Sequence, residues 1–224
     1  MEVENLKLIL NMETYLNRSD SEKIRGYLGN VFWDNPYAHH HKSDGSLIYR
    51  YPCVQYKIID GMCVLIGFSE GTEVIKKTFH DLKTINLDNR WEEVLSKGLE
   101  SYKASFSLSY EQIDCTFLTP WLALNEKNYE KYQRLGSWGK RKELLEKILI
   151  GNIISMSKSL GYTVPAPIEA NLGHLKEVKT SLKGTPMLGF LGNFSVNFEI
   201  PDYWGIGKSV SRGFGTVKRV NSDR

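Results

Sequence analysis

The stretch IYRYPCVQYKIIDGMCVLIGF, residues 48–68, places two apolar, β-branched runs on either side of Asp60-Gly61. Asp-Gly between two such runs is the strongest short-range signal of a β-hairpin, because the type I′ turn needs positive φ angles that glycine adopts easily. The stretch therefore predicts two antiparallel strands joined by a tight turn.

The segments around this hairpin predict the order of a ferredoxin-like unit. Residues 6–14 (LKLILNMET) have the pattern of a strand, and Ser19-x-x-Glu22 has the form of a helix capping box before apolar residues at helical spacing. After the hairpin, residues 70–80 predict a short helix and residues 82–87 a strand. The order β-α-β-β-α-β is the ferredoxin-like arrangement.

The second half of the chain repeats this order less clearly. The pattern predicts strands over 105–110, 113–124, 174–182, 187–200 and 216–220, and a long helix over 140–160. A glycine-rich stretch takes the place of the second crossover helix. We therefore predict an α+β fold of two tandem ferredoxin-like (RRM-like) domains, residues 1–100 and 101–224, the second of which carries a C-terminal glycine-rich loop.

The composition limits the class of protein. No apolar run reaches the roughly 18 residues of a membrane span, and the N-terminus has acidic residues where a secretory signal has basic ones. The three cysteines, Cys53, Cys63 and Cys115, lack CxxC spacing, so a disulfide framework is not expected. We expect a cytoplasmic protein with no membrane partner.

The net charge of +3 conceals an uneven distribution. Residues 1–126 carry 13 basic and 18 acidic side chains, a balance of −5, and residues 127–224 carry 16 and 8, a balance of +8. A basic half favours a polyanionic partner. Solvated surface lysines would give the same counts, so charge alone leaves both interpretations open.

The glycine-rich stretch GIGKSVSRGFG, residues 205–215, has the pattern G-h-G-x₅-G-h-G, where h is hydrophobic. It is not a P-loop or a dinucleotide fingerprint, because positions 202 and 210 are Asp and Val where those motifs need small residues. Glycines let the backbone approach a phosphate chain and leave N–H groups uncovered. The alternative is a flexible loop with incidental charge. The predicted nucleic-acid-binding residues are Gly205, Gly207, Lys208, Ser209, Ser211, Arg212, Gly213 and Gly215.

A polar stretch, DNPYAHHHKSDGS (34–46), carries three of the five histidines, His39, His40 and His41. Imidazole serves as acid and as base near neutrality, because its unperturbed pKa is about 6.5. A metal site is disfavoured, since three consecutive rings cannot easily reach one ion and no cysteine or acidic ligand pattern accompanies them. Solvated loop residues are the other interpretation. His80 and His174 lie beside predicted element ends, and we expect them to be structural.

The glycine pattern after two ferredoxin-like halves resembles the repeat-associated (RAMP) RNA-binding superfamily of CRISPR systems. Within it, the chain resembles the endoribonucleases that cut precursor CRISPR RNA inside each repeat. Residues 189–215, 48–61 and 117–132 (FLTPWLALNEKNYEKY) carry the likeness. The resemblance implies cleavage of repeat RNA, single-stranded or hairpin, with no metal or other cofactor. Other CRISPR-associated proteins and a homodimer stay open as further partners.

The resemblance also implies roles for the histidine stretch. The branch that this chain resembles carries an H-x-H pair there, which falls on His39 and His41, with His40 between them. These two would be the acid and base for attack of a 2′-OH on the adjacent phosphorus, which leaves a 2′,3′-cyclic phosphate and a 5′-OH. The groups expected to stabilise the phosphorane charge are Lys42, Tyr37 and Arg50.

Two alternative functions and two secondary RNA-contact candidates stay open. The same superfamily supplies non-catalytic RNA-binding subunits of CRISPR effector complexes, which is the main alternative, and a metal-dependent nuclease is a distant one. Tyr203-Trp204, just before the glycine loop, are the aromatic residues that we expect to stack on bases. The triplet 140–142 (Lys-Arg-Lys) either contacts RNA or is a solvated helix start.

Overall fold

The computed structural model describes residues 1–33, 35, 37 and 50–220. The chain forms two compact units. The N-terminal unit comprises Glu2–Ala104 together with Val210–Gly213, a short segment from the glycine-rich stretch. The C-terminal unit comprises Met1, residues 105–209 and the chain from Phe214 onward. The glycine-rich stretch therefore contributes to both units.

Within the described residues, the N-terminal unit is built from a five-stranded sheet and two helices. Its elements are β1 (Glu2–Met12), α1 (Asp20–Val31), β2 (Val54–Ile59), β3 (Met62–Phe68), α2 (Gly71–Asp81), β4 (Thr84–Leu87) and β5 (Arg90–Ser105). The strand order in the sheet is β2-β3-β1-β5-β4.

The predicted hairpin forms one side of this sheet, with β2 at the edge and β3 beside the central strand β1. Asp60 and Gly61 have φ angles of 50° and 76°, as a type I′ turn requires, and β3 pairs antiparallel with both β2 and β1. Gly67 lies against the side chain of Ile75 in α2. Because the register pairs Leu6 with Gly67 and Leu8 with Leu65, alternate residues of β1 and β3 face the helices and form the core.

The strand beside β1 was not predicted from the sequence. In a ferredoxin-like sheet the fourth strand takes this place, but here β5 occupies it and β4, the predicted fourth strand, lies at the edge. The apolar residues of β5 do not form a buried face, since Trp91, Leu95 and Leu99 are all exposed. Without a buried apolar face, the segment lacks the alternation by which strands are recognised.

The predicted capping box at the start of α1 is wrong in its geometry. Ser19 has helical backbone angles, and its side chain makes no capping hydrogen bond. Asp20 Oδ2 instead accepts a hydrogen bond from the Asn17 backbone N–H at 2.9 Å, and the Asp20 N–H donates to the Asn17 carbonyl at 2.8 Å. The turn that leads into α1 is therefore closed between Asn17 and Asp20, without a side-chain cap from Ser19.

The C-terminal unit confirms the second ferredoxin-like prediction. Its elements are β6 (Ser107–Phe117), α3 (Glu126–Arg134), α4 (Trp138–Ser159), β7 (Ala170–Leu182), β8 (Thr185–Glu199) and β9 (Val217–Arg219). The strand order is β7-β8-β6-β9. A 3₁₀ turn, Val210–Arg212, lies in the chain where a ferredoxin-like fold has its second crossover helix. Helix α3 was not predicted.

The segment after β6 does not continue as the predicted strand to residue 124. Trp121 instead makes an isolated β-bridge with Phe190, and its fully buried ring stacks on Phe117 with centroids 5.2 Å apart. Elsewhere in the same core, Phe106 stacks on the buried Trp204. Within the described ranges, no helix is long and apolar enough to cross a membrane.

The side chain of Lys57 in β2 is fully buried. Its Nζ donates a hydrogen bond to Oε1 of Gln55 at 2.9 Å. Burial lowers the pKa of Lys57 to about 7, because desolvation disfavours the charged form. The unfolded chain therefore holds this proton more tightly than the folded chain, and stability contributed by this group rises as pH increases from about 7 toward the unfolded pKa.

The substitution Lys57→Met tests this linkage, because methionine has a similar length and does not titrate. We expect the unfolding free energy of the wild type, minus that of the variant, to increase between pH 7 and 10 by up to about 1.4 kcal/mol per pH unit. Urea unfolding at successive pH values measures this slope. A difference that stays constant over the range would show that Lys57 keeps its proton in the folded chain.

Candidate functional site

The predicted catalytic residues His39, His40, His41 and Lys42 lie outside the described residues. At the two ends of their segment, Tyr37 is half-buried and its backbone N–H donates to Oδ1 of Asn35 at 3.0 Å, and Arg50 is exposed. Among the described residues, no cluster of three or more His, Cys, Asp or Glu side chains could hold a metal ion.

The two ends of the glycine-rich loop are joined within the C-terminal unit. Gly205 and Thr216 form a β-bridge. The backbone N–H of Ile206 donates to the carbonyl of Gly215 at 2.8 Å, and that of Gly215 donates to the carbonyl of Pro120 at 2.9 Å. The hydrophobic positions of the motif, Ile206 and Phe214, are fully buried and anchor both ends.

The glycines of the loop permit close packing of the backbone. Gly207 has a φ of 91°, and a Cβ there would lie 2.6 Å from Nε1 of Trp121. Gly215 has a φ of 62° and packs directly on the carbonyl of Ile206. The N–H groups of Gly213 and Gly215 are both bonded within the protein. These two amides are therefore not uncovered, in contrast to the sequence-based expectation for the glycines.

The middle of the loop packs on α1 and β2 in the N-terminal unit. Ser21 Oγ of α1 donates a hydrogen bond to the carbonyl of Arg212 at 2.8 Å. Gly213, with a φ of 81°, fits against β2, where a Cβ would lie 2.8 Å from the carbonyl oxygen of Tyr56 and 3.3 Å from Cα of Lys57. The backbone of this segment is thus tied to the helix that leads toward the histidine stretch.

The polar side chains of the loop differ in their access to solvent. Lys208 is exposed, and Ser209 and Arg212 are half-buried. Ser211 is only 7% exposed, which leaves it little surface for contact with a ligand. The charged groups that the loop presents to solvent are therefore Lys208 and Arg212.

Arg25 of α1 is a basic residue near the loop that sequence reasoning missed. Burial lowers the pKa of the Arg25 guanidinium, and the positive charge of Arg212 lowers it further, against opposing effects of Tyr56 and Glu22. Two guanidinium groups close enough to repel each other form a local positive field that a phosphate would relieve. The sequence carried no signal for this pair, because 187 positions separate its members in the chain.

The secondary candidates for RNA contact, Tyr203-Trp204 and the triplet 140–142, have different environments in the structure. Trp204 is fully buried against Phe106, so the prediction that it stacks on bases is wrong; Tyr203 is half-buried. In the basic triplet, Arg141 Nε donates to the carbonyl of Leu135 at 3.0 Å, and Lys142 Nζ donates to Asn171 Oδ1 at 2.7 Å. Both side chains are thus used in contacts within the C-terminal unit.

Two family models match the chain, one for each half. The Cas6b N-terminal domain matches residues 1–105, and the Cas6b C-terminal domain matches residues 107–220. The chain belongs to the Cas6b family. The resemblance to CRISPR-associated endoribonucleases that process CRISPR RNA is thereby confirmed.

Cas6b relatives cover nearly the whole chain. It is 37% identical to a protein whose structure is described as the crystal structure of Cas6b, with a TM-score of 0.90 over 98% of this chain and 100% of that one. It is 36% identical to a protein described as the CRISPR RNA processing endoribonuclease Cas6b, with a TM-score of 0.79 and the same coverage. It is also 45% identical over 140 residues to the uncharacterized protein MJ0978 of Methanocaldococcus jannaschii, which spans 62% of this chain and 95% of that protein.

The packing of the loop predicts that its glycines contribute to the unfolding free energy of the protein. We expect Gly213→Ala to lower the unfolding free energy by roughly 1–3 kcal/mol, because the new Cβ meets the Tyr56 carbonyl and alanine is strained at positive φ. Gly151→Ala in α4 is the matched control. Nothing lies within 4 Å of its Cβ position, and alanine is the better helix former by about 1 kcal/mol.

Thermal unfolding of the two variants measures the difference. We expect the melting temperature to fall for Gly213→Ala and to stay or rise for Gly151→Ala. Equal melting temperatures for Gly213→Ala and the wild type would mean that the loop does not need the close approach to β2.

Proposed function

We propose that this Cas6b protein is a metal-independent endoribonuclease that cleaves precursor CRISPR RNA within its repeats. The observation that carries the proposal is the 36% identity, over 98% of the chain, to the CRISPR RNA processing endoribonuclease Cas6b. The histidine stretch supplies the chemistry that such an enzyme needs, and the loop supplies cationic side chains for the RNA backbone.

The proposed reaction is a transesterification that needs one base and one acid. A base takes the proton of a ribose 2′-OH, the 2′-oxygen attacks the adjacent phosphorus, and an acid protonates the departing 5′-oxygen. The products are a 2′,3′-cyclic phosphate and a 5′-OH. His39 and His41 are the proposed acid–base pair, because imidazole performs both roles near neutral pH. Tyr37 and Lys42 are proposed to stabilise the negative charge on the phosphorane.

The proposed RNA contacts combine the glycine loop with α1. Lys208 is exposed, and Arg212 lies near enough to Arg25 for the two charges to repel. Both features favour contact with RNA phosphates, which neutralise such charges. The glycines Gly205, Gly207, Gly213 and Gly215 are proposed to act indirectly, because they allow the compact path that presents these side chains.

The decisive experiment is incubation of end-labelled repeat RNA with the protein in EDTA, followed by mapping of the product ends. We expect a single cut that leaves a 2′,3′-cyclic phosphate and a 5′-OH. The double variant His39→Ala/His41→Ala should cut at least about 10²-fold more slowly, since one general acid or base typically contributes 10²- to 10⁴-fold. His40→Ala tests the third histidine of the stretch, and cutting within a few-fold of the wild-type rate would leave His39 and His41 as the pair.

Three outcomes would contradict the proposal. Stable binding of intact RNA would make the chain an RNA-binding subunit, and loss of cutting in EDTA would make it a metal-dependent nuclease. Cutting by the double variant at the wild-type rate would remove the histidine pair from the mechanism. Bound but intact RNA identifies the first outcome, EDTA dependence the second, and the cutting rate of the double variant the third.

The loop's contact with RNA has its own prediction. Lys208→Ala should weaken binding of repeat RNA and reduce the slope of log K against log salt by about 1, because one phosphate contact is lost. Lys179→Ala, another exposed lysine of the same unit, is the control. Filter binding across a salt series measures both slopes, and equal slopes for Lys208→Ala and the wild type would remove Lys208 from the interface.

A further inference from the structure

A pair of exposed rings lies in the C-terminal unit, away from the glycine loop in the sequence. Trp138 is the first residue of α4 and is 40% exposed, and His174 on β7 is also exposed. The centroids of the two rings are 6.4 Å apart, and their planes meet at 48°. A structural role was expected for His174 from the sequence, and Trp138 was not considered.

The backbone holds His174 outside the regular ladder of its sheet. The pairing of β7 with β8 shifts register between Leu172 and Leu175, which is the signature of a β-bulge. On β8, Gly192 has a φ of 141°, and a Cβ there would lie 2.5 Å from the carbonyl oxygen of His174. The glycine therefore leaves room for the bulge that carries the histidine.

Hydrogen bonds fix the start of α4 against this bulge. Lys142 Nζ donates to Oδ1 of Asn171 at 2.7 Å, and the backbone N–H of Leu172 donates to Oε1 of Glu146 at 2.9 Å. Asn171 and Leu172 directly precede the bulge. Trp138 and His174 are thus presented by two elements that are bonded to each other, so the ring pair is preorganised.

A lysine accompanies the ring pair on β7. The exposed Lys176 lies two residues beyond His174 on this strand. Residues 127–224 carry 16 basic against 8 acidic side chains. Exposed aromatic rings beside a lysine suit a ligand that has both planar apolar faces and negative charge. Unpaired nucleotides have this chemistry, because their bases stack on Trp and His and their phosphates bind lysine.

We propose that Trp138 and His174 form a stacking site for one unpaired base of the RNA that this protein binds, outside the proposed cut site. The inference rests on the proposed function, since it takes repeat RNA as the ligand. Lys176 binds a phosphate beside that base. The site adds a base-stacking contact to the proposed phosphate contacts of the glycine loop.

The test is equilibrium binding of repeat RNA that carries a 2′-deoxy nucleotide at the mapped cut site, so that it cannot be cleaved; if the chain does not cut RNA, the unmodified repeat serves. Trp138→Ala should raise Kd by about 5- to 100-fold, since a base–aromatic stack contributes roughly 1–3 kcal/mol. Trp138→Phe and His174→Phe keep a ring and should stay within about threefold of the wild type. The control is Tyr110→Ala, because Tyr110 is a fully exposed ring on β6 of the same unit.

Single abasic substitutions along the RNA identify the stacked base. At one position, the abasic RNA should bind the wild type as weakly as intact RNA binds Trp138→Ala, and the two changes together should cost no more than either alone. A Kd for Trp138→Ala equal to the wild-type value, or additivity at every position, would overturn the proposal. So would equal weakening by Tyr110→Ala.

Cleavage assays separate this proposal from the proposed function. Trp138→Ala should raise Kd while the RNA that it binds is cut with the same product ends, whereas His39→Ala/His41→Ala should bind RNA normally and fail to cut it. A chain that binds RNA through Trp138 without cutting would retain the stacking site and lose the proposed activity. Circular dichroism and thermal unfolding confirm that each variant is folded.

Discussion

The path of the glycine-rich loop depends on three places where the backbone meets neighbouring atoms with no room for a Cβ. These are Gly207 against the Trp121 ring, Gly213 against the Tyr56 carbonyl and Gly215 against the Ile206 carbonyl. All three have positive φ angles, at which glycine is the least strained residue. Because the loop closes in this way, its hydrophobic residues Ile206 and Phe214 are buried. Its cationic residues Lys208 and Arg212 keep access to solvent.

This constraint changes the physical explanation of the glycine pattern. Glycines near a phosphate often expose backbone N–H groups to it, but the amides of Gly213 and Gly215 are bonded to protein carbonyls. The cationic side chains of Lys208 and Arg212 are then the groups that face solvent. The loop is better described as a segment that presents cationic side chains than as one that presents free backbone amides.

The structure also decides which tryptophans are buried and which are exposed, and the composition of the chain does not predict this. Trp121, in the segment after β6, and Trp204, just before the glycine-rich loop, are both in the core, whereas Trp138 at a helix start is exposed. A tryptophan is buried when neighbouring elements cover it, and the elements that cover Trp204 include Phe106, almost a hundred residues earlier. The exposed ring that suits RNA is therefore found only after folding.

Local signals in the sequence determined the hairpin at Asp60-Gly61, the long helix α4 and the β-α-β-β order of the first half, because turn angles and helical periodicity depend on neighbouring residues. The same signals missed β5, which lacks a buried apolar face, and misassigned the cap of α1. Tertiary structure alone decided which glycines meet the backbone, which charges adjoin Arg25 and which ring lies beside His174. Each of these depends on contacts between residues far apart in the chain, and such contacts leave no periodic trace in the sequence.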